Sequence, residues 1–259
     1  MSTEVTTELI KKLRDSTGIS IMQCKNALEE ARGDMNKALA ILKKTSSDIA
    51  FKKAGRVALD GRVCIKTDGK KYVLVALHCE TDFVSKNEDF VNLLSNLTDI
   101  VIKEGVEKIK EQSKDMIDLI IQKTGEKIEL GDIYEVKGDV VGSYVHNNKL
   151  AVIVSLDGGS AELARDIAMH ITAMKPEYIY QNEISDESKN TIQEIFQKEI
   201  EGINKPEEIK NKMLEGKINT YFKEKTLLDQ VFIKDPSETI GKLLEKNQAK
   251  IKEVKRYFI

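Results

Sequence analysis

The sequence predicts an α+β protein with three parts: an N-terminal three-helix module, a core of two related antiparallel-sheet-plus-helix halves, and a protruding antiparallel helical hairpin. Three observations predict it. Apolar residues recur at helical spacing through the first 44 residues. A hairpin followed by a helix occurs twice between residues 61 and 185. Two amphipathic stripes separated by a Gly, Asn and Pro break fill residues 186–226.

Each element has its own signal. Thr6 can cap a first helix carrying Leu9, Ile10 and Leu13, and Gly18 can supply the left-handed residue that ends it. Ser20 followed by Gln23 reads as a capping box, with Ala27, Leu28 and Ala31 on one face up to Gly33. Asp34 can cap a third helix with Met35, Ala38, Leu39 and Leu42 facing inward. The polar stretch Lys43 to Asp48 then reads as a linker. From Gly61 the pattern becomes strand-like: Arg62 to Thr67 and Tyr72 to Cys79 flank Asp68-Gly69, a strong hairpin signal, and a helix with Phe90, Leu93, Leu94 and Leu97 follows. Val140 to Val145 and Leu150 to Leu156 flank His146-Asn147-Asn148, with a helix carrying Leu163, Ile167 and Ile171 after them. Ile192, Ile195, Phe196, Ile200 and Ile203 form the first stripe of the helical hairpin, and Ile209, Met213, Ile218 and Phe222 form the second. A short helix over Thr239 to Lys246 and a strand over Ile251 to Phe258 close the chain. The expected division is residues 1–45 for the helical module, 46–60 for the linker and 61–137 for the first core half. Residues 138–185 with 227–259 make the second half, and 186–226 make the helical-hairpin, or coiled-coil, arm.

Composition excludes several classes of function. Lys and Arg number 41 against 43 Asp and Glu, a net charge of −2, so no global basic field attracts nucleic acid or anionic lipid, and no nucleic-acid partner is expected. No apolar run approaches the ~20 residues that span a bilayer, and Met1-Ser2-Thr3-Glu4 lacks signal-peptide character. Cys24, Cys64 and Cys79 are odd in number and widely spaced, which fits a reducing compartment, and a cytoplasmic location is expected. No phosphate-loop or dinucleotide glycine pattern occurs, so the chain is expected to hold no nucleotide or cofactor itself. His78, His146 and His170 lack metal-ligand spacing. A nucleophile pair of His78 and Cys79 fails on geometry, because neighbours on a strand point to opposite faces. Cys24 reads as core packing and His170 as a satisfied, semi-buried side chain.

Thr81-Asp82-Phe83-Val84-Ser85-Lys86-Asn87 leaves a buried strand and enters a helix, with an aromatic residue beside an acid. Two readings stand. In one, Asp82 or Ser85 caps the helix and Phe83 is tucked into the core. In the other, Phe83 is an exposed wedge.

Five blocks in order carry a family resemblance. They are Leu13-Arg14-Asp15-Ser16-Thr17-Gly18 through Met22 to Leu28; Lys53-Ala54-Gly55-Arg56 with Ala58-Leu59-Asp60-Gly61; Thr81-Asp82-Phe83-Val84; Gly138 to Tyr144; and Ile167-Ala168-Met169-His170 with Lys175-Pro176-Glu177-Tyr178. Together they make the chain similar to the elongation factor Ts family, the guanine-nucleotide exchange factors of bacterial and organellar elongation factor Tu. The resemblance implies that the first three helices form a ubiquitin-associated-like (UBA-like) module packing on the partner's G domain, with Arg14, Ile21 and Met22 at that contact. It implies that the Thr81, Asp82, Phe83, Val84 motif, with Asp82 and Phe83 inserted between G-domain helices, dislodges the partner's Mg²⁺ and loosens its phosphate loop. It further implies that the second core half touches another partner domain around His146, and that no covalent step is involved. The partner is expected in both GDP-bound and nucleotide-free forms; a homodimer or a 2:2 complex is left open.

The chain departs from the family pattern in places. Ser20-Ile21-Met22 stands where Gly-Met-Met is usual, Gln23 replaces an Asp, and Asn147-Asn148 occupies a turn where small residues or glycine are common. The chain ends at Ile259 without the helical extension some relatives carry, which leaves the strength of the grip open. The competing expectation is an interaction adaptor that uses the UBA-like module and lacks exchange activity, in which Phe83 would be buried.

Overall fold

The computed structural model describes residues 5–259; the Met1–Glu4 segment read for signal character lies outside them. The chain is α+β. It forms two compact units, one running to Val136 and including Val145–Ala151 and Arg256–Ile259, the other comprising Lys137–Tyr144 and Val152–Lys255.

The first unit opens with α1 (Thr7–Thr17), α2 (Ile21–Glu30) and α3 (Met35–Lys53). Their caps follow the sequence signals: the Thr6 side chain accepts from Leu9 N–H, Ser20 from Gln23 N–H and Asp34 from Asn36 and Lys37 N–H. Gly18, at φ +68°, ends α1 in the left-handed region. Leu13, Ile19, Cys24, Leu28, Ala38 and Leu42 form their shared core, each large aliphatic contributing about 1.5–3 kcal/mol on burial.

One expectation is corrected here. The stretch read as a linker from Lys43, and assigned to residues 46–60, is helical as far as Lys53. It is held by α6 (Val106–Thr124), a helix to which the sequence reading assigned nothing. Ser46 is buried and its hydroxyl reaches Gln122. Ser47 donates to Asp118 at 2.8 Å, Lys43 pairs with Asp115 at 2.5 Å, and Ile49 and Ala50 pack on the neighbouring core. Polar residues that look like linker are thus one side of a helix–helix contact, since a buried hydroxyl is stable once its partner is supplied.

β1 (Asp60–Thr67) and β2 (Lys71–Cys79) pair antiparallel, with Asp60 opposite Cys79 and Thr67 opposite Tyr72. Asp68 closes the turn by accepting from Lys70 and Lys71 N–H at 2.9 Å, an Asx turn. After α4 (Asp82–Lys86) come α5 (Glu88–Glu104), α6 and β3 (Ile128–Lys137), which joins the sheet in the order β1-β2-β3. Phe90, Leu94, Leu97 and Val101 of α5 and Ile109, Ile117 and Ile121 of α6 pack with Val73, Val75 and Leu77 of β2. The isoleucines of α6 have helical spacing, so its signal was in the sequence; β3, only partly buried along most of its length, shows little alternation.

The second sheet has the order β4-β5-β8, from β4 (Val140–His146), β5 (Leu150–Asp157) and β8 (Lys250–Phe258). As in the first sheet, a hairpin is followed by helix, α7 (Ala161–Met174), and a later strand adds beside the hairpin's second strand. Gly142 is required where β4 runs against α7: a Cβ there would lie 2.2 Å from the Arg165 nitrogen. The arm is present as α8 (Asp186–Glu201) and α9 (Glu207–Lys225), joined across their faces by Phe196 edge-on to Tyr221 and by the Lys217–Glu199 pair at 2.6 Å. A small hairpin, β6 (Val231–Phe232) and β7 (Asp235–Thr239), had no strand assignment in the sequence, and α10 (Ile240–Lys246) follows it. His170 is fully buried, more deeply than expected, and satisfied: Ile233 N–H donates to Nδ1, so Nε2 carries the proton and donates to Gln230.

Candidate functional site

β2 is buried on both faces from Val73 to Leu77 and delivers the chain to α4 at the sheet's end. Thr81 is the cap of α4; its backbone is extended and its hydroxyl accepts from Val84 N–H at 3.4 Å. This corrects the expectation that Asp82 or Ser85 caps the helix: capping needs an extended residue one place before the first helical turn, and only Thr81 stands there. Asp82 lies in the first turn, favourable for an acid, and pairs with Lys86 at 2.7 Å. Val84 and Ser85 face the interior, which turns Phe83 outward. Phe83 is 84% exposed, so the reading that tucked it into the core is also overturned. A five-residue helix can bury only one face, and here the inward positions are 84 and 85. Leaving a phenylalanine in water forgoes about 1.5–3 kcal/mol of burial.

Two carboxylates hold this turn. The Glu126 carboxylate, just past the end of α6, accepts from Glu80 N–H at 3.1 Å and Thr81 N–H at 3.0 Å with one oxygen, and from the Thr81 hydroxyl at 2.6 Å with the other. In return, the Glu80 carboxylate accepts from Lys127 N–H at 2.6 Å and from Arg56 at 3.2 Å. The Lys127 N–H, with Arg56 beside it, holds Glu80 below the usual carboxylate range.

The neighbouring Cys79 is fully buried, and burial pushes its thiol up to about 12. It donates to the Thr81 carbonyl at 3.2 Å, while His78 Nε2 lies 2.6 Å from Tyr257 Oη. A thiol that stays protonated and a histidine committed elsewhere make no nucleophile pair. Cys24 is core, as its sequence position suggested.

The other expected contact residues are at the surface of their elements. Arg14 is exposed on α1, and Ile21 and Met22, at 56% and 65% exposure, open α2. Ile21 occupies the first helical position directly after the Ser20 cap, so the serine that departs from the family pattern holds the apolar pair at a helix start. His146 is exposed at the end of β4. Asn147 and Asn148, at φ +50° and +57°, form the two-residue turn, closed by Lys149 N–H to the His146 carbonyl at 3.0 Å. Both dihedrals suit asparagine, so the turn needs no glycine. This turn belongs to the first unit: Val63 N–H donates to Asn148 at 2.8 Å, and Lys149 pairs with Asp60 at 2.5 Å. Burial raises Asp60, but its bonds to Lys149, Ser85 and Gly61 N–H outweigh it and hold the carboxyl below its usual range. Asp60 thereby links the His146 turn to α4.

Sequence reasoning assigned no role to Glu80, Glu126, Asp60 and Lys149, whose partners are remote in sequence. It likewise missed that Phe51, Val57 and Leu59 are 84%, 69% and 81% exposed. Among the described residues of the first unit, every large apolar side chain that is more than two-fifths exposed lies between Ile21 and Phe83. Among the described residues no group of three or more His, Cys, Asp or Glu could hold a metal ion, and no helix is long and apolar enough to cross a membrane. A concavity of about 650 Å³ in the second unit is lined by Tyr180, Leu228, Leu244 and Ile251 with Asp157 and Glu245.

An α+β chain that displays apolar and acidic side chains on short, firmly capped helices has the build of a protein-binding factor. Comparison with known proteins agrees with that class and narrows it. A sequence model of the family described as "Elongation factor TS" matches residues 80–259. The chain is 40% identical to elongation factor Ts of Hahella chejuensis, with 98% of this chain and 91% of that protein covered. It is 37% identical to elongation factor Ts of Pseudomonas syringae pv. tomato, over 96% of this chain and 88% of the relative, and 36% identical to that of Thioalkalivibrio sulfidiphilus, over 98% and 91%. The chain belongs to the elongation factor Ts family of translation elongation factors.

Proposed function

We propose that this chain is a guanine-nucleotide exchange factor that accelerates GDP release from elongation factor Tu in the cytoplasm, by binding and distortion without covalent chemistry. The observation that carries the reading is Phe83, a large aromatic ring held in water on a helix whose other face is anchored. Phe83 and the Asp82 carboxylate enter the partner's G domain and displace the contacts that hold Mg²⁺ and the phosphate loop. Mg²⁺ bridges nucleotide phosphates to protein ligands, so moving those ligands weakens GDP binding. Arg14, Ile21 and Met22 supply affinity from the helical module, and His146 supplies a second contact. The adaptor alternative called for a buried Phe83; the exposed ring favours exchange.

Each tenfold gain in release rate corresponds to about 1.4 kcal/mol off the barrier. Linkage requires that the factor and GDP weaken each other equally, so nucleotide rebinding expels the factor and allows turnover. The test is to preload elongation factor Tu with fluorescent GDP, add this protein with excess unlabelled GDP, and follow release against its concentration. A large, saturable acceleration is expected; its absence with folded protein and the cognate partner would overturn the reading.

A further inference from the structure

We propose that Glu126 is a positioning residue for Phe83, acting through the Thr81 cap in a reciprocal clasp with Glu80; this rests on the exchange reading above. Phe83 is 84% exposed, so packing on its ring does little to fix where it points. Its direction is set by the backbone that starts α4. That start is a difficult one. β2 ends at Cys79, and the Glu80 and Thr81 N–H groups follow it without a strand partner. Both donate to Glu126 instead.

The third bond matters most. With its proton committed to Glu126 at 2.6 Å, the Thr81 hydroxyl must present a lone pair, and not its hydrogen, to the helix. That lone pair accepts Val84 N–H. Glu126 thus sets the polarity of the cap as well as the path of the chain leading to it. The segment that carries this carboxylate is itself fixed. Gly125 ends the 19-residue α6 in the left-handed region at φ +75°, and its carbonyl accepts from Lys53 at the end of α3. Glu80 closes the clasp from the other side by accepting Lys127 N–H. Residues 80–81 and 126–127 are therefore tied by bonds in both directions, and the anchored end of α6 orients the aromatic ring 43 positions earlier.

The experiment compares wild type, Glu126→Ala, Glu126→Gln, Phe83→Leu and the double variant Glu126→Ala/Phe83→Leu in the fluorescent-GDP release assay, separating the saturating rate from the half-saturating concentration. Melting and amide exchange at Glu80 and Thr81 are read alongside. Glu126→Ala is expected to lower the saturating rate about tenfold, to change the half-saturating concentration less than about threefold, and to speed amide exchange at residues 80 and 81. Glu126→Gln keeps one acceptor oxygen for the two N–H groups but sets an –NH2 against the Thr81 hydroxyl, which loses its acceptor; it is expected to recover amide protection at residues 80 and 81 while leaving the rate well below wild type. In the Phe83→Leu background, Glu126→Ala is expected to cost less than about threefold, because a residue that acts through the ring loses its effect when the ring is gone. An equal loss in both backgrounds, or a loss that follows melting temperature in Ala and Gln alike, would overturn the proposal and leave Glu126 a general stabiliser. An unimpaired Glu126→Ala would overturn it too, with the exchange reading intact. No acceleration by wild type would instead bring down the exchange reading and this role with it.

Discussion

Asp82, Phe83 and Val84 are consecutive, yet the structure gives them three different fates: a carboxylate paired with Lys86, a ring in water, and a buried aliphatic anchor. An exposed ring contributes little to folding, so Phe83→Ala is expected to leave the melting temperature within about 2 °C of wild type, as surface truncations of under ~0.5 kcal/mol do. The same variant is expected to lose at least about tenfold in GDP release from elongation factor Tu, equivalent to about 1.4 kcal/mol of barrier. Calorimetry with the release assay checks both halves; unfolding, or wild-type exchange, would remove Phe83 from the mechanism. The Lys86–Asp82 pair joins two well-exposed side chains, and such pairs add little stability. In the proposed function it holds the acid beside the ring.

Helices and hairpins carry a different kind of constraint, because the tightest contacts lie between backbones. At Gly142 an added Cβ would meet the α7 backbone at 2.2 Å, and backbone cannot swing aside as a side-chain tip can. Gly142→Ala is expected to destabilise the second unit by about 1–3 kcal/mol or more, visible as a lower urea midpoint. His170 ties α7 to the β6–β7 hairpin through Ile233 N–H, and to Gln230, whose amide in turn donates to the Glu224 carbonyl at 2.6 Å. Burial lowers its pKa, against the opposing bond to Gln230. The neutral ring is the folded form, so its contribution is complete above the ordinary imidazole value near 6.5. It is lost as pH falls through the lowered folded value. Denaturant melts of the wild type at pH 7 and pH 5 should show lower stability at pH 5. Replacing His170 by Gln should shrink that difference; an undiminished pH dependence would place its origin elsewhere.

At the scale of the molecule, the proposed function divides binding and distortion between separate elements: Arg14, Ile21 and Met22 on α1 and α2, and Phe83 on α4. Truncating both Ile21 and Met22 to Ala removes exposed apolar contact area. It is expected to raise the half-saturating concentration about tenfold while leaving the saturating release rate within about threefold, the signature of uniform binding loss. A fall in saturating rate alone would mean that the helical module takes part in distortion itself. Reciprocity supplies a check that needs no variant. If the proposed function holds, the factor by which this protein weakens GDP binding to elongation factor Tu must equal the factor by which GDP weakens its own binding, measured calorimetrically with and without nucleotide.

Local chemistry determined much of this protein directly from sequence. Thr6, Ser20 and Asp34 cap helices because a short oxygen-bearing side chain there satisfies otherwise orphaned N–H groups, and Gly18 ends α1 because only a residue tolerant of positive φ can. The alternating and helical periods placed both hairpins and the arm, and the family resemblance pointed to the motif at Thr81–Val84. Tertiary structure decided what periodicity does not encode. Polar Ser46 and Ser47 stay helical because Gln122 and Asp118 sit opposite them, and the hydroxyl of the Thr81 cap donates to Glu126. Phe83 faces water because Val84 and Ser85 face the interior. The physical reason is common to all three: caps and periods depend on residues within about four positions, whereas burial and hydrogen-bond satisfaction depend on partners brought close only by folding, 45 to 76 positions away for the Thr81 and Ser46 bonds.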